Sequence, residues 1–339
     1  MGIVLDEVRW GMIGCGAVTE RKSAPAFNKI EQSRLVAAMG RDARKAADYA
    51  ARHGVPRWYA DAEALMADPE VNAIYVATPP SSHAEYAVLA LQAGKPVYVE
   101  KPMACRYAEC QAMNQAASAA GLPLFVAYYR RALPYFLQVK ALLDAASIGS
   151  ILAINVRLVQ SPRPADRNPN SLPWRVNPAV AGGGYFFDLA CHSLDLLDFL
   201  LGAIVGAQGY AENRGGLYSA EDTVAASFKF ASGALGTGFW TFAATDAGRS
   251  DSVEILGTAG TIRFSTFAFT PIELETPTGT QRYLPPNPEN IQFHLIAAIV
   301  AELRGQGRSP SNGTSAARTN WVMDCITGVR HESKFAGLG

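Results

Sequence analysis

Two groups of residues, far apart in the chain, have the types and spacing needed for proton transfer. Lys101 stands in a Glu-Lys-Pro run that follows a short β-rich segment, so its ammonium is expected at the end of a strand. Asp188, His192 and Asp195 are spaced four and then three residues apart, which places them on one face of a helix. An ammonium and a carboxylate–imidazole pair can bind a hydroxyl or carbonyl group and exchange its proton near neutral pH.

Each group also has a plainer structural interpretation. Lys101 and Glu100 could form a surface ion pair, and Asp188 with His192 could be a buried pair that stabilises a domain interface. Two other kinds of site are not supported by the sequence. None of the 5 histidines forms an H-x-x-x-H pair, so we predict no metal site. The sequence has no G-x-S-x-G elbow either, which argues against a serine hydrolase.

A glycine-rich run follows the first predicted strand and precedes a predicted helix. Gly14 and Gly16 leave the backbone bare there, so a pyrophosphate could approach the amides at the helix start, near Ala17 and Val18. The third position of the G-x-G-x-x-G fingerprint is Thr19 and not glycine. The run predicts a dinucleotide site, and the alternative is an ordinary glycine turn of an α/β protein.

The end of the second predicted strand indicates which dinucleotide is bound. NAD enzymes place a carboxylate there for the ribose hydroxyls, but here a small residue is followed by Arg41. Arg41, supported by Arg44 and Lys45, would attract a 2′-phosphate, while Asp42 is expected to cap the next helix. We therefore predict that NADP(H) is preferred and that NAD(H) is possible. The alternative is that Arg41 is a solvated charge at a helix start.

The segment after the predicted strand at 73–77 is a further candidate for the cofactor site. Thr78 and Pro79 follow that strand at the carboxyl edge of the expected sheet, where open α/β folds bind ligands. We expect them to line the nicotinamide ribose, with His83 nearby and with Glu100 and Lys101 at the end of the next strand. His83 could equally be a first-turn helix residue without a chemical role.

The elements that position these residues follow from the alternation of β-rich and helical patterns. Strands are predicted at 8–13, 34–39, 73–77, 97–99 and 124–127, and helices at 18–29, 43–53, 84–93 and 107–120. This β-α-β alternation predicts an α/β fold, with an N-terminal doubly wound Rossmann domain built on a parallel sheet.

The pattern changes after Tyr128. A helix is predicted at 135–146, followed by strands at 151–159, 204–212, 223–230, 234–241, 252–256 and 261–264, and by a last helix at about 290–304. Short turns between these strands predict a C-terminal α+β domain with a large mixed or antiparallel sheet. The long proline-rich loop at 161–178 is expected to be functional. Apolar surface for a subunit interface across the exposed sheet face is expected from Phe228, Phe230, Phe239, Trp240 and Phe242.

Length and composition limit the functional classes. A chain of 339 residues is long enough for two cores, and we place a dinucleotide-binding domain at 1–128 and a substrate and oligomerisation domain at 129–339. The formal net charge of zero gives no basic field for nucleic acid. No apolar run is long enough to span a membrane. The 5 cysteines are scattered and odd in number, so we expect free thiols and a cytoplasmic location.

The motifs, taken in their order along the chain, resemble the glucose-fructose oxidoreductase and inositol dehydrogenase family (Gfo/Idh/MocA). They are the glycine run at 14–16, Ala-Thr-Pro at 77–79, Glu-Lys-Pro at 100–102, and Asp188 with His192. The resemblance implies that Lys101, Asp188 and His192 are the catalytic trio. Lys101 and His192 would handle the hydroxyl proton, and Asp188 would orient or bind the substrate. The arrangement at Arg41 is similar to that of NADP-using members.

The resemblance also suggests the substrate and the assembly. Family members mostly act on sugars, polyols and related cyclic alcohols, commonly as dimers or tetramers built through the C-terminal sheet. Arg130, Arg131, Trp174 and Arg175 stand where such proteins often contact substrate. The sequence therefore predicts an NADP(H)-dependent oxidoreductase in which these groups converge on one nicotinamide ring. The alternative is a catalytically silent NAD(P)-sensing regulatory protein on the same fold.

Overall fold

The structure, a computed structural model, describes residues 3–329 and divides them into two units. The first contains the chain up to Leu133 together with Asn287–Ala317, and the second contains Pro134–Pro286 with the described residues from Arg318 onward. The boundary expected at residue 128 assigned 287–317 to the second domain, whereas this segment packs with the first unit. Side-chain hydrogen bonds hold it there, including Ser311 Oγ to the carbonyl of Val126 at 2.7 Å.

The first unit contains a six-stranded parallel sheet. Its strands are β1 (Val8–Ile13), β2 (Ser33–Met39), β3 (Arg57–Tyr59), β4 (Ala73–Val76), β5 (Val97–Val99) and β6 (Leu124–Val126), in the order β3-β2-β1-β4-β5-β6. This is the doubly wound order predicted from the alternating pattern. Strand β3 was not predicted, because its three residues are mostly exposed and carry no apolar run.

The helices of this unit connect the parallel strands. They are α1 (Ala17–Arg21), α2 (Ala24–Phe27), α3 (Ala43–His53), α4 (Ala62–Ala67), α5 (His83–Gln92) and α6 (Tyr107–Ala120). The single helix predicted at 18–29 is wrong: the chain breaks at Lys22 and Ser23 and restarts with Pro25 in the first turn of α2. Proline lacks the N–H that a continuous helix would need at that point.

The second unit is built on an eight-stranded mixed sheet. Its strands are β7 (Ile151–Val159), β8 (Ile204–Glu212), β9 (Thr223–Phe230), β10 (Leu235–Thr241), β11 (Ser250–Gly257), β12 (Thr261–Phe264), β13 (Ile272–Thr276) and β14 (Gly279–Tyr283). The order is β14-β13-β12-β11-β7-β10-β9-β8, in which β7 and β10 pair in parallel. The mixed sheet predicted for this part of the chain is confirmed.

The remaining helices are divided between the two units, and the last of them crosses the boundary at residues 317 and 318. They are α7 (Pro134–Asp144), α8 (Pro178–Ala181) and α9 (Cys191–Leu201), then α10 (Phe293–Leu303) and α11 (Gly313–Ile326). The helix at 290–304 is therefore not the last one. Helix α11 was not predicted, because the polar residues that begin it give a weak apolar period. Among residues 3–329, no helix combines the length and apolar character needed to cross a bilayer.

The aromatic residues of the large sheet lie mostly on its inner face, which corrects the expectation that they cover the outer one. Phe228, Phe230, Trp240 and Phe242 are buried within the chain. Trp240 packs edge-on against Phe186 with ring centroids 5.3 Å apart. Side chains alternate between the faces of a strand, so the residues between these aromatics face outward. Of the five predicted positions, Phe239 is the one that is not buried.

Candidate active site

The carboxyl ends of β1, β4 and β5 lie side by side in the first unit. Backbone N–H groups of Gly14, Ala77 and Glu100 each donate to the end of a neighbouring strand at 2.8 to 2.9 Å. Chain order reverses between β1 and β4, and open α/β sheets bind ligands at such a switch point. The glycine run, the Thr78 turn and Lys101 therefore share one edge of this sheet.

Gly14 and Gly16 have different roles in the turn after β1. Gly14 has φ +106°, and a Cβ added to it would lie 2.8 Å from the carbonyl oxygen of Ala77. The backbone conformation and the close packing against Ala77 therefore require glycine at this position. Gly16 has φ −104°, and a Cβ added there would meet no atom within 4 Å. The bare backbone at Gly16 faces open space, which fits the close approach of a dinucleotide pyrophosphate.

Thr19 occupies the third glycine position of the fingerprint and forms hydrogen bonds that fix this turn. Its buried hydroxyl donates to the carbonyl of Gly16 at 2.8 Å, and Tyr49 donates its hydroxyl to the carbonyl of Thr19 at 3.0 Å. In the same turn Ala17 is exposed and Val18 is half-buried. The first turn of α1 is thus fixed to α3 without a third glycine.

Cys15 lies between the two glycines, and its thiol contacts the carbonyl of Met39 at 3.6 Å. Burial raises the pKa of the Cys15 thiol to about 11. The thiol is therefore neutral at physiological pH and adds no negative charge to a site that would hold two phosphates.

The cations after β2 are exposed and available to a ligand. The Asp42 carboxylate caps α3 by accepting from the N–H of Arg44 at 3.0 Å and of Lys45 at 3.3 Å, as predicted. The side chains of Arg41, Arg44 and Lys45 are exposed, and none pairs with a carboxylate within residues 3–329. Elsewhere in this unit Arg52 is paired with Glu20 at 2.9 Å. These three side chains are therefore accessible to an anion at the end of β2.

The turn after β4 is braced by His83. Its ring is fully buried, with Nε2 2.7 Å from the carbonyl oxygen of Thr78 and Nδ1 3.0 Å from that of Pro102. Burial lowers the pKa of His83. Ser82 donates its hydroxyl to the Thr78 hydroxyl at 2.8 Å, and Pro79 follows, half-buried. His83 begins α5 and acts on the site by fixing these turns.

Glu100 is buried at the end of β5, with 6% of its surface exposed. One carboxylate oxygen of Glu100 accepts from the Tyr75 hydroxyl and from Nε2 of Gln292, each at 2.7 Å. The other oxygen accepts from the backbone N–H of Lys101 at 3.2 Å. Lys101 itself is half-buried, and its peptide bond to Pro102 is cis.

Asp188 lies on an unusual turn in the second unit. Residues Phe186–Ala190 form a π-helical turn that leads directly into α9 and His192. The wider turn rotates Asp188 away from the position it would have in the regular helix that the sequence predicts. π-Helical turns are rare in proteins, and those that do occur often lie at functional sites.

The glycines at 182–184 serve packing within this unit. A Cβ at Gly183 would lie 2.2 Å from the ring of Phe187, and one at Gly184 would lie 2.4 Å from the carbonyl oxygen of Glu221. The N–H of Gly184 also donates to the Glu221 carboxylate at 2.6 Å. These glycines therefore allow the backbone to pack closely against neighbouring residues of the same unit.

Two of the predicted substrate residues lie with Asp188. Nε of Arg175 is 3.3 Å from Oδ2 of Asp188, and the Arg175 guanidinium stacks 4.4 Å from the centroid of the Trp174 ring. Trp174–Val176 forms a helical turn in the loop at 161–178, so the ion pair attaches this loop to the π-helical turn. An exposed aromatic ring beside a carboxylate suits the binding of a polyhydroxylated ring.

The remaining candidates are buried within their units. His192 is 3% exposed and packs edge-on against Phe267, with ring centroids 5.8 Å apart. Asp195 is 1% exposed and accepts from the Thr319 hydroxyl at 3.4 Å, so it connects α9 to α11. Arg130 is buried in the first unit, and its guanidinium lies 5.0 Å from the centroid of the Tyr129 ring.

Comparison with known proteins agrees with these observations over most of the chain. The signature of the oxidoreductase family with an NAD-binding Rossmann fold matches residues 8–128, and that of the GFO/IDH/MocA C-terminal domain matches residues 136–263. An oxidoreductase of Formosa agariphila is 37% identical over 96% of this chain and 99% of its own length. The 1,5-anhydro-D-fructose reductase of Ensifer adhaerens is 27% identical over 90% of this chain and 91% of its own.

A solved structure supports the same assignment. The WlbA dehydrogenase of Bordetella pertussis, in complex with NADH and UDP-GlcNAcA, has a TM-score of 0.83 and 25% identity, with 96% of this chain and 95% of that chain covered. The match covers both parts of the fold. The chain belongs to the GFO/IDH/MocA family of oxidoreductases.

Proposed function

We propose that the chain is an NADP(H)-dependent oxidoreductase that transfers a hydride between the nicotinamide and a sugar, a polyol or a related cyclic alcohol or ketone. The observation that carries this proposal is the shared edge of the parallel sheet, which holds both the open backbone at Gly16 and the half-buried Lys101. The 1,5-anhydro-D-fructose reductase among the relatives supports a carbohydrate substrate.

The preference for the phosphorylated cofactor rests on Arg41. Arg41, Arg44 and Lys45 present three exposed cations at the end of β2, where NAD enzymes place a carboxylate. A 2′-phosphate would gain charge-assisted hydrogen bonds from Arg41, whereas a 2′-hydroxyl would gain little. The WlbA dehydrogenase holds NADH, so NAD(H) remains the competing cofactor in the assay.

The catalytic roles are assigned to Lys101, Asp188 and His192. When bound, the nicotinamide supplies or accepts the hydride. Lys101 and His192 exchange the proton of the substrate hydroxyl or carbonyl oxygen, and Asp188 binds a hydroxyl and orients the ring. Arg175 holds the Asp188 carboxylate in place through the 3.3 Å ion pair. Trp174, with 36% of its surface exposed, provides an apolar face for the sugar.

One experiment separates this proposal from a silent cofactor-sensing protein. Sugars, polyols, ketoses, cyclic diols and 1,5-anhydro-D-fructose are assayed with NADP(H) and with NAD(H) by following reduced-nicotinamide absorbance. We expect turnover of at least one compound, with a higher kcat/KM for the phosphorylated cofactor. Tight binding of NADPH without turnover of any compound would favour the regulatory alternative.

We also propose that the protein is a homodimer or homotetramer assembled through the outer face of the large sheet. This face carries small and aromatic side chains on neighbouring strands, including Tyr210 at 81% exposure, Ala225, Ser227 and Phe239. An eight-stranded sheet with an open face of this kind is a suitable subunit interface.

A cytoplasmic location is the last part of the proposal. The structure has no disulfide bond among Cys15, Cys105, Cys110, Cys191 and Cys325. An odd number of free cysteines is typical of proteins that work in a reducing compartment. Fractionation of the source cells, with activity followed in each fraction, tests this assignment.

A further inference from the structure

The Glu100 carboxylate is buried and accepts hydrogen bonds from neutral donors. Glu100 is 6% exposed, and its partners are the Tyr75 hydroxyl, the Gln292 amide and the backbone N–H of Lys101. No lysine or arginine within residues 3–329 forms an ion pair with it. Burial of a charge without a cation costs free energy, and a neutral side chain would fill this place at lower cost. A role in the site would account for the retained charge.

Gln292 is held in a single orientation by a second hydrogen bond. Its side-chain oxygen accepts from the Tyr98 hydroxyl at 2.6 Å, which leaves the Nε2 group to donate to Glu100 at 2.7 Å. Gln292 is 1% exposed. Tyr75 and Tyr98 are paired across β4 and β5, and their rings stack with centroids 4.9 Å apart. The two donors to Glu100 are thus fixed to the rigid centre of the sheet.

The backbone around Lys101 is held on both sides. Glu100 accepts from the N–H of Lys101 at 3.2 Å, and His83 lies 3.0 Å from the carbonyl oxygen of Pro102. A lysine ammonium sits on a flexible stem of four carbons, so its mean position depends on where the backbone starts that stem. Rotation of the Glu100 carboxylate would release one of the two restraints.

We propose that Gln292 is a positioning residue for Lys101, acting through the Glu100 carboxylate. The proposal rests on the proposed function, in which Lys101 exchanges the substrate proton. Gln292 contributes a donor that holds Glu100 Oε1, so that Oε2 stays on the N–H of Lys101. Loss of that donor misplaces the ammonium and slows the chemical step more than it weakens binding.

Asn290 supplies a matched control for a purely structural role. It lies two residues before Gln292 in the same segment, and its side-chain amide donates to the carbonyl of Arg21 at 2.9 Å while its oxygen accepts from Lys29 at 2.7 Å. Asn290→Ala therefore loosens the attachment of the segment without touching Glu100. Gln292→Met keeps the length of the side chain and removes both of its hydrogen bonds.

The test compares kcat, KM and cofactor Kd for Gln292→Met, Asn290→Ala and Lys101→Met on the best substrate of the panel. We expect Gln292→Met to lower kcat about tenfold or more, with KM and the NADPH Kd within about twofold of the parent protein. Asn290→Ala should keep kcat within about twofold. Tyr75→Phe, which removes the other donor to the same oxygen, should lower kcat as well, and the double variant should lose less than the product of the two effects.

Two outcomes would overturn the proposal. One is a parental kcat in Gln292→Met while Lys101→Met is inactive, which would leave the function of Lys101 intact and remove only the role of Gln292. The other is a crystal structure of Gln292→Met in which Glu100 still accepts from the N–H of Lys101, a readout that needs no substrate. Retained turnover in Lys101→Met would instead reject the proposed function.

Discussion

Nε of Arg175 lies 3.3 Å from Oδ2 of Asp188, and this ion pair connects the proline-rich loop to the π-helical turn of the second unit. The side chain of Asp188 is 13% exposed, against 36% for that of Arg175. A partly exposed guanidinium therefore fixes a mostly buried carboxylate. The pair gives the loop at 161–178 a direct influence on the orientation of Asp188.

Replacement of Arg175 by alanine should therefore weaken substrate binding. Without the guanidinium, Asp188 loses the ion pair with Arg175, and Trp174 loses the group stacked on its ring. We expect the KM for substrate to rise about tenfold, which corresponds to about 1.4 kcal/mol, with the NADPH Kd unchanged. Arg167→Ala, an exposed arginine of the same loop, is the control. Equal KM values in the two variants would show that the ion pair does not contribute.

Alanine substitutions at the two glycines after β1 should have different effects on stability and on NADPH affinity. Gly16→Ala places a methyl group in open space at φ −104°, so its free energy of unfolding should stay within about 0.5 kcal/mol of the parent. Its NADPH Kd should nevertheless rise at least about tenfold, because the methyl group occupies the proposed pyrophosphate path. Titration of NADPH fluorescence and urea unfolding measure the two quantities.

Gly14→Ala is the counterpart to that variant. Its φ of +106° and the 2.8 Å approach to the Ala77 oxygen should cost about 1–3 kcal/mol of stability. Unchanged NADPH affinity in Gly16→Ala would show that the cofactor binds elsewhere, whatever the stability or affinity of Gly14→Ala.

The charge after β2 should determine the choice of cofactor. Arg41→Ala is expected to raise the KM for NADPH by about tenfold or more, since a charge-assisted hydrogen bond contributes about 1.5–3 kcal/mol, and to leave the KM for NADH nearly unchanged. Arg34→Ala removes the same charge from the opposite end of β2, where the side chain pairs with Glu7 at 3.0 Å. A parallel change for both cofactors in Arg41→Ala would refute the phosphate site.

The parts of the fold that follow from local sequence were predictable. Apolar runs gave the central strands of the parallel sheet, and Asp42 was identified as a helix cap because it precedes a helical period. The last two strands of the large sheet, β13 and β14, were not predicted, because polar residues such as Glu and Thr alternate with few apolar ones there and the backbone pairing leaves no sequence signal. The face on which Phe228 and Trp240 lie is likewise decided by packing and not by their spacing.

Some residues of the candidate site were likewise predictable from local sequence, whereas other contacts were not. Gly14, Lys101 and Asp188 stand in motifs that a single stretch of sequence reveals. The Gln292–Glu100 contact joins residues 192 positions apart, and nothing in the sequence at the start of α10 indicates that Gln292 has a partner in the sheet. The ion pair of Arg175 with Asp188 was also hidden, because the conformation of the long loop depends on tertiary contacts.

The outer face of the large sheet should hold the subunits together. Ser227→Arg introduces a long charged side chain at an exposed position between Gln208 of β8 and Thr237 of β10. We expect light scattering to show a dimer or tetramer for the parent protein and a monomer for this variant. Ser118→Arg, the same change on exposed α6, should keep the parental mass. A monomeric parent protein would disprove the interface.

The proposed function depends above all on the Lys101 ammonium, which would exchange the substrate proton at the carboxyl edge of the sheet. Lys101→Met keeps the length of the side chain and removes its charge, and it is measured for kcat on the best substrate and for NADPH Kd. We expect a loss of about 100-fold to 10,000-fold in kcat, the range of a general acid or base, with the Kd within about twofold of the parent. A kcat equal to that of the parent protein would contradict it.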